Sequence, residues 1–259
     1  MNKFLDLFNV KKPVIGMLHL GGEAVGKDPL AIAKKEMDIY LENGINGVIV
    51  EDYFGDVEDV ESMLSYLDVN RKDVVYGVNV LHSYKQTFLF AEEYNAKFIQ
   101  IDSVSGHLKT IQDMYYGEQL AHLRENIDVP VIGGVRFKYQ PQISGRTLKD
   151  DLKIGMKRSD AIVVTGSATG VETEESKIKE FKDIIGDYPL VIGAGLTPEN
   201  CDSLLIADAA IVGSYVKDRH RAEGRVSADN VKRLMEAVKD VRARAEHQEK
   251  NQKEDDFER

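Results

Sequence analysis

Cysteine occurs once in the 259 residues, at Cys201, and tryptophan not at all. A lone thiol excludes a disulfide framework and any zinc site built on several cysteines. Apolar runs are short: segments such as Ala209-Ala210-Ile211-Val212 fall far below the roughly 20 residues that a membrane-spanning helix needs. Basic residues are outnumbered, 34 Lys and Arg against 44 Asp and Glu, for a net charge of −10. That balance excludes a nucleic-acid grip, which needs clustered cations on phosphates, and a surface adhering to anionic lipid. No repeat or low-complexity tract is present. Residues 1–12 mix Lys3, Asp6 and Lys11 with Phe and Leu and lack the apolar stretch of a signal peptide. The expectation is a cytoplasmic globular protein, with no nucleic-acid partner and no membrane insertion.

With 42% hydrophobic residues, the chain can bury a sizeable core. Short apolar runs recur, each ending in Gly or a polar residue and followed by a helix-length amphipathic stretch. They are Pro13–Leu20, Gly47–Asp52, Val74–Val80, Phe98–Ser103, Val129–Lys138, Ala161–Gly166, Leu190–Gly195 and Ala209–Ser214. Near-continuous apolar runs are the mark of parallel strands covered on both faces. Pro29–Asn43 carries a helical apolar face with Asn43-Gly44 as its stop. In Thr197–Ala207, Thr197 stands where an N-cap would and Pro198 at the first helical position. About eight β-α units fill the chain with none left over, which predicts a (β/α)8 TIM barrel over residues 1–245. The competing doubly wound open sheet uses the same alternation with about six strands. The charged segment 246–259 reads as a frayed or disordered extension of the last helix, or as a partner-binding tail.

In a barrel, chemistry collects at the C-terminal ends of the strands. The seventh and eighth ends carry Gly193-Ala194-Gly195 and Gly213-Ser214. Glycines there let backbone N–H groups approach phosphate oxygens, and a following helix N-terminus favours negative charge. Tight turns alone would also explain them. The sixth end, with Thr165, Gly166 and Ser167, suits hydrogen bonding to a ligand or a small lid. Acid–base candidates are His19 at the first end, Glu51 and Asp52 with Asp56 at the second, Asn79 and His82 at the third, Gln100 and Asp102 at the fourth, and Arg136 and Lys138 at the fifth. Alternation lets only one of Glu51 and Asp52 face the mouth. Taken singly, a strand-end Asp is as readily a helix N-cap and a lone His a packing group. His107, His122, His220 and His247 are set aside, and Cys201 reads as a packing residue. There is no HExxH or EF-hand pattern, no Walker loop and no GxGxxG after the first strand. No cofactor is strongly implied, and a divalent cation on the carboxylates is an open alternative.

Several of these segments together resemble the BtpA/SgcQ family: Gly16–Leu20 (GMLHL), Gly47–Asp56 (GVIVEDYFGD), Gly77–Leu81 (GVNVL), Val164–Gly170 (VTGSATG), Gly193–Asn200 (GAGLTPEN) and Ile211–Lys217 (IVGSYVK). They span about Val14 to Lys217 in the family's order. The resemblance implies a barrel of the ribulose-phosphate-binding kind. It also implies either an enzyme of sugar or nucleotide metabolism or, after the founding member, a factor for photosystem I biogenesis. This chain departs from the family pattern with Gly21-Gly22-Glu23-Ala24 in place of a proline-rich loop, Asp52-Tyr53 in place of Asn before Phe-Gly-Asp, and Phe137-Lys138-Tyr139 in place of Val-Lys-His.

The first expectation is an enzyme that anchors a small phosphorylated metabolite, a sugar phosphate or nucleotide-like compound, through Gly193, Gly195, Gly213 and Ser214. Glu51, Asp102, Lys138, His19 and Asn79 would then do acid–base work on its other end. The alternatives are a non-enzymatic assembly factor, which would carry an apolar patch away from the mouth, and a metal-dependent phosphatase or nucleosidase using Glu51, Asp56 and Asp102. A homo-oligomer is compatible with either.

Overall fold

The structure, a computed structural model, describes residues 2–22 and 28–257. Glu23 and Ala24 of the departing first loop lie outside the described residues. Eight strands form: β1 (Val14–His19), β2 (Gly47–Glu51), β3 (Tyr76–Asn79), β4 (Phe98–Ser105), β5 (Val131–Val135), β6 (Ala161–Val164), β7 (Leu190–Ile192) and β8 (Ala209–Val212). Each pairs in parallel with the next, and β8 returns to β1 through Val14↔Ala210 and Ile15↔Ile211. The sheet closes, so the architecture is the (β/α)8 barrel and not the open sheet.

Six helices follow the first six strands: α1 (Pro29–Glu42), α2 (Val57–Asn70), α3 (Tyr84–Glu93), α4 (Thr110–Asn126), α5 (Leu148–Arg158) and α6 (Glu175–Ile185). Their starts follow local chemistry. Asp28 accepts from the Ala31 N–H ahead of Pro29, and Asp56 and Asp59 form a reciprocal capping box on α2. Gly44, at φ +91°, takes the left-handed conformation that ends α1. The seventh unit differs from expectation. In place of an α-helix from Thr197 there is a turn and a five-residue 3₁₀ segment, Cys201–Leu205. Asn200 closes that turn on itself, Oδ1 accepting from the Thr197 N–H (2.8 Å) and Nδ2 donating to the Gly195 carbonyl (2.8 Å). Cys201 is buried there as packing. The last helix, α7 (Ala228–Phe257), continues into the charged segment. No helix among the described residues is long and apolar enough to cross a membrane.

Two apolar layers result. Outward-facing strand residues such as Leu18, Val50, Val78 and Ile162 meet the helices. Inward-facing Ile15, Ile49, Phe98, Ile132, Val163, Val191 and Ile211 fill the barrel. The N-terminal segment plugs its lower end, with Phe4 edge-on to Phe98 at 5.4 Å between centroids. Phe98 fits because its neighbour on β3 is Gly77: a Cβ there would overlap the Phe98 ring. Overfilling a close-packed interior typically costs about 1–3 kcal/mol. Gly77→Ala is therefore expected to lower unfolding free energy by about that amount in urea titration. An unchanged midpoint would contradict this packing.

Candidate functional site

Side chains on a strand alternate, so every second residue enters the barrel. Along β1 the inward set runs Ile15, Met17, His19. Along β2 it ends on Glu51, along β3 on Asn79, and along β4 it passes Phe98 and Gln100 to Asp102. The interior is apolar below and polar at the C-terminal ends, where a cavity of about 240 Å³ opens, lined among others by His19, Glu51, Asp102 and Lys138.

Asn79 is the centre of the polar group. Its Nδ2 donates to Glu51 Oε1 (2.7 Å) and to Asp102 Oδ1 (3.0 Å), bridging two carboxyl groups with one amide. Glu51 is buried, and loss of hydration followed by the Asp102 charge pushes its pKa up to about 8. Burial also raises Asp102, while the Asn79 bond and the Lys138 ammonium oppose the rise. Lys138 is lowered by the same desolvation and pulled back by Glu51 and Asp102. At neutral pH the Glu51 carboxyl thus keeps its proton beside an Asp and a Lys with shifted affinities. Such sets of mutually perturbed groups in a cleft are what proton-transfer sites are made of.

A second chain of contacts reaches Glu51 from the other side. His19 Nε2 lies 3.5 Å from Glu51 Oε2, and its Nδ1 lies 3.2 Å from Lys217 Nζ and 3.3 Å from the Ala222 carbonyl. Lys217 is buried, donates to the Ala222 carbonyl at 2.8 Å, and has its pKa lowered to about 8 by burial. Burial and Lys217 together hold His19 well below the ordinary imidazole range, so the ring is neutral. An ammonium can only donate. Lys217 therefore makes Nδ1 the acceptor and leaves the ring proton on Nε2, pointing at Glu51. Sequence reasoning missed Lys217 as a site residue, although it ends the Ile211–Lys217 segment.

The phosphate candidates lie across the cavity. Gly193, Gly195, Gly213 and Ser214 all line it. The Gly193 N–H is taken by the Val164 carbonyl (2.8 Å). Among the described residues no acceptor takes the N–H of Gly195, Gly213 or Ser214. Gly195 sits at φ +75° with the Val171 and Glu172 backbone against it, so only glycine fits. The helix N-terminus expected behind this loop is absent, because the Asn200 turn replaces it; the anion-favouring groups here are backbone amides alone.

At the sixth end, Thr165 is buried and its Oγ1 accepts from the Lys138 N–H (3.0 Å), so it fixes Lys138. Gly166 and Ser167 border a neighbouring cavity, while Thr169 and Gly170 reach the mouth. Two tyrosines hold that loop over the opening. The Thr169 N–H donates to Tyr139 Oη (2.8 Å), and Tyr53 Oη pairs with Thr169 Oγ1 (3.1 Å). Tyr53 also stacks on His19 at 4.7 Å. Both tyrosines follow strand ends, a signal present in the sequence.

Other candidates serve the scaffold. Asp52 accepts from the Leu81 N–H (2.8 Å), Asp56 caps α2, and Arg136 turns outward to Asp151 (2.9 Å). The trio Glu51, Asp56 and Asp102 is therefore not assembled. Among the described residues no group of three or more His, Cys, Asp or Glu is placed to hold a metal ion. His82 is exposed at the rim, at φ +63°.

The Lys217 contact has a measurable consequence. In wild type, nitrogen NMR should show His19 protonated on Nε2. In Lys217→Met, Nδ1 is free to donate to the Ala222 carbonyl, and the Nδ1–H tautomer should gain. An unchanged tautomer in the variant would contradict the orienting role.

The model of the BtpA family matches residues 10–240. An uncharacterized protein of Pyrococcus abyssi is 28% identical over 255 residues, covering 89% of this chain and 97% of its own. The photosystem I biogenesis protein BtpA of Synechocystis is 26% identical over 258 residues, covering 89% of each. Among solved structures, (S)-3-O-geranylgeranylglyceryl phosphate synthase of Thermoplasma acidophilum, in complex with sn-glycerol-1-phosphate, superposes with a TM-score of 0.59 at 16% identity. That match covers 90% of this chain and 94% of the synthase, a likeness of fold alone. With the family model spanning nearly the whole barrel, the chain belongs to the BtpA family.

Proposed function

We propose that the protein is an enzyme that binds a small phosphorylated metabolite and moves a proton on it. The observation that carries this reading is the opposition, across one cavity, of the Glu51–Asn79–Asp102 bridge and the amides of Gly195, Gly213 and Ser214, which no acceptor among the described residues takes. The amides suit an anion: they are donors without an acceptor among the described residues, beside glycines that leave room for oxygens. The phosphorylated ligand of the fold neighbour is in keeping with this. Anchoring one end of a ligand lets its binding energy hold the other end over the acid–base groups.

At that other end, protonated Glu51 donates a proton to the reacting oxygen or carbon. The carboxylate so formed is stabilised by the Asn79 amide, the Nε2–H of His19 and the Lys138 ammonium. Asp102, hydrogen-bonded to the same Asn79, is placed to accept a proton from the substrate. Tyr53 and Tyr139 keep the Thr169 loop over the mouth and exclude water.

A second reading, an assembly factor, draws on one observation. Ile111, Met114 and Tyr115 share one face of the first turns of α4 and are 84%, 61% and 64% exposed, an apolar strip outside the lining of the mouth. The name of the Synechocystis relative agrees with it. On this reading the protein would be indifferent to changes at the mouth.

A thermal-shift screen against sugar phosphates, nucleotides and inorganic phosphate separates the two, since a ligand of the native state raises Tm by mass action. Phosphorylated compounds should stabilise wild type. Gly213→Glu, which puts a carboxylate among the amides, should abolish the shift. With the best ligand, Glu51→Gln should retain binding and lose roughly 10²–10⁴-fold in turnover. No shift with any phosphorylated compound, or equal shifts in Gly213→Glu, would overturn the enzyme reading.

A further inference from the structure

The mouth is not the only space beside Asp102. A second cavity, about 350 Å³, opens between the ends of β3 and β4 and the starts of α3 and α4. It shares Leu81, His82, Gln100, Asp102 and Gln140 with the mouth, so the two are compartments of one cleft with the Gln100 and Asp102 side chains as the partition. The mouth alone, about 240 Å³, falls short of the roughly 300–1,000 Å³ usual for ligand sites; the two together fall within it.

The walls of this compartment differ from those of the mouth. It has no lysine and no arginine, and Asp102, at the partition, is its one acidic residue. Tyr84 and Tyr116 meet edge to face at 5.1 Å, and His107 meets Tyr116 the same way at 5.3 Å. Among the described residues six buried side-chain N or O atoms lack a hydrogen-bond partner, and three belong to residues lining this one space: Gln100 Oε1, Ser103 Oγ and His107 Nδ1. Gln100 and Ser103 are more than nine-tenths buried. Buried polar atoms without partners are costly, and three of the six belong to side chains that wall this cavity. Strain marks the same place, since His82 at the junction holds a left-handed backbone that a non-glycine residue rarely adopts.

We infer that this compartment binds an uncharged, flat, hydrogen-bonding ring such as a nucleobase, so that the ligand of the whole cleft is a nucleoside monophosphate rather than a simple sugar phosphate. The inference rests on the reading of the mouth as the phosphate end. Aromatic edges and Leu108 suit the faces of a ring, while Gln100, Ser103 and His107 suit its polar edge. A polyol would leave that apolar wall unmatched. The ribose then lies over Glu51 and Asp102, between the two ends.

Calorimetric titration of wild type with ribose 5-phosphate, the four ribonucleoside 5′-monophosphates and the corresponding nucleosides tests this. At least one nucleoside monophosphate should bind tenfold or more tighter than ribose 5-phosphate. Leu108→Trp, which fills the compartment, should erase that advantage and leave ribose 5-phosphate binding unchanged, which also reports that the variant is folded. His107→Ala, a smaller change, should weaken the monophosphate severalfold and ribose 5-phosphate not at all. If the phosphate reading alone fails, the free nucleosides still bind wild type and not Leu108→Trp. Equal affinities for ribose 5-phosphate and every monophosphate, a Leu108→Trp variant that retains the preference, or no binding of any nucleoside or nucleotide would overturn the inference.

Discussion

A carboxyl group taken out of water beside another carboxyl group must keep its proton or be met by a cation. Glu51 is in that position, and the mouth of the barrel is arranged around it. Asn79 divides its two amide hydrogens between Glu51 and Asp102, which ties the pair together without supplying the charge that would ionise both. Lys138 and His19 approach from either side, and each is itself weakened as a base by burial. The result is a group of side chains with proton affinities drawn towards one another, so that small changes in a bound ligand can redistribute a proton. The arrangement has a cost. Between the ordinary carboxylate range and about 8, the unfolded chain releases the Glu51 proton and the folded chain holds it, so this group lowers stability as pH rises.

That cost is sustained by the barrel. Closure of eight parallel strands fixes which residues face inward, and the apolar floor of Phe98, Ile49 and Ile211 beneath the mouth denies the carboxyls water. Opposite them the strands end in glycine, and the cavity wall there is backbone. One face of the cleft thus carries titratable side chains and the other carries amides. The compartment beside Asp102 adds a third face, aromatic and uncharged.

Much of this was legible in the residues. Eight apolar runs separated by helical stretches gave the barrel, because strands buried on both faces leave no alternation to misread. Strand-end polarity marked Glu51, Asn79 and Asp102 as separate candidates for the mouth; that one amide joins the two carboxyls is visible only in the structure. Asp52 and Asp56 were not separable from Glu51 on type alone; only the Leu81 amide and the first turn of α2 show what they bind. The seventh helix misled because Thr197 and Pro198 are good helix openers, and the rival Asn200 turn depends on a contact with Gly195 that spacing does not reveal. Lys217 lay hidden for a similar reason: it follows the last strand by five residues, and the chain must fold back before its ammonium reaches His19.

The proposed chemistry depends on the proton held by Glu51. Carbon NMR of protein labelled at the glutamate carboxyl carbons follows that proton directly, with Glu51→Gln identifying the resonance. One carboxyl signal, absent from the variant, should titrate near 8, well above the ordinary glutamate value of about 4.3. A Glu51 signal that titrates with the exposed glutamates would contradict the account, and the mouth would then be a solvated anion site without the proton that the proposed chemistry needs.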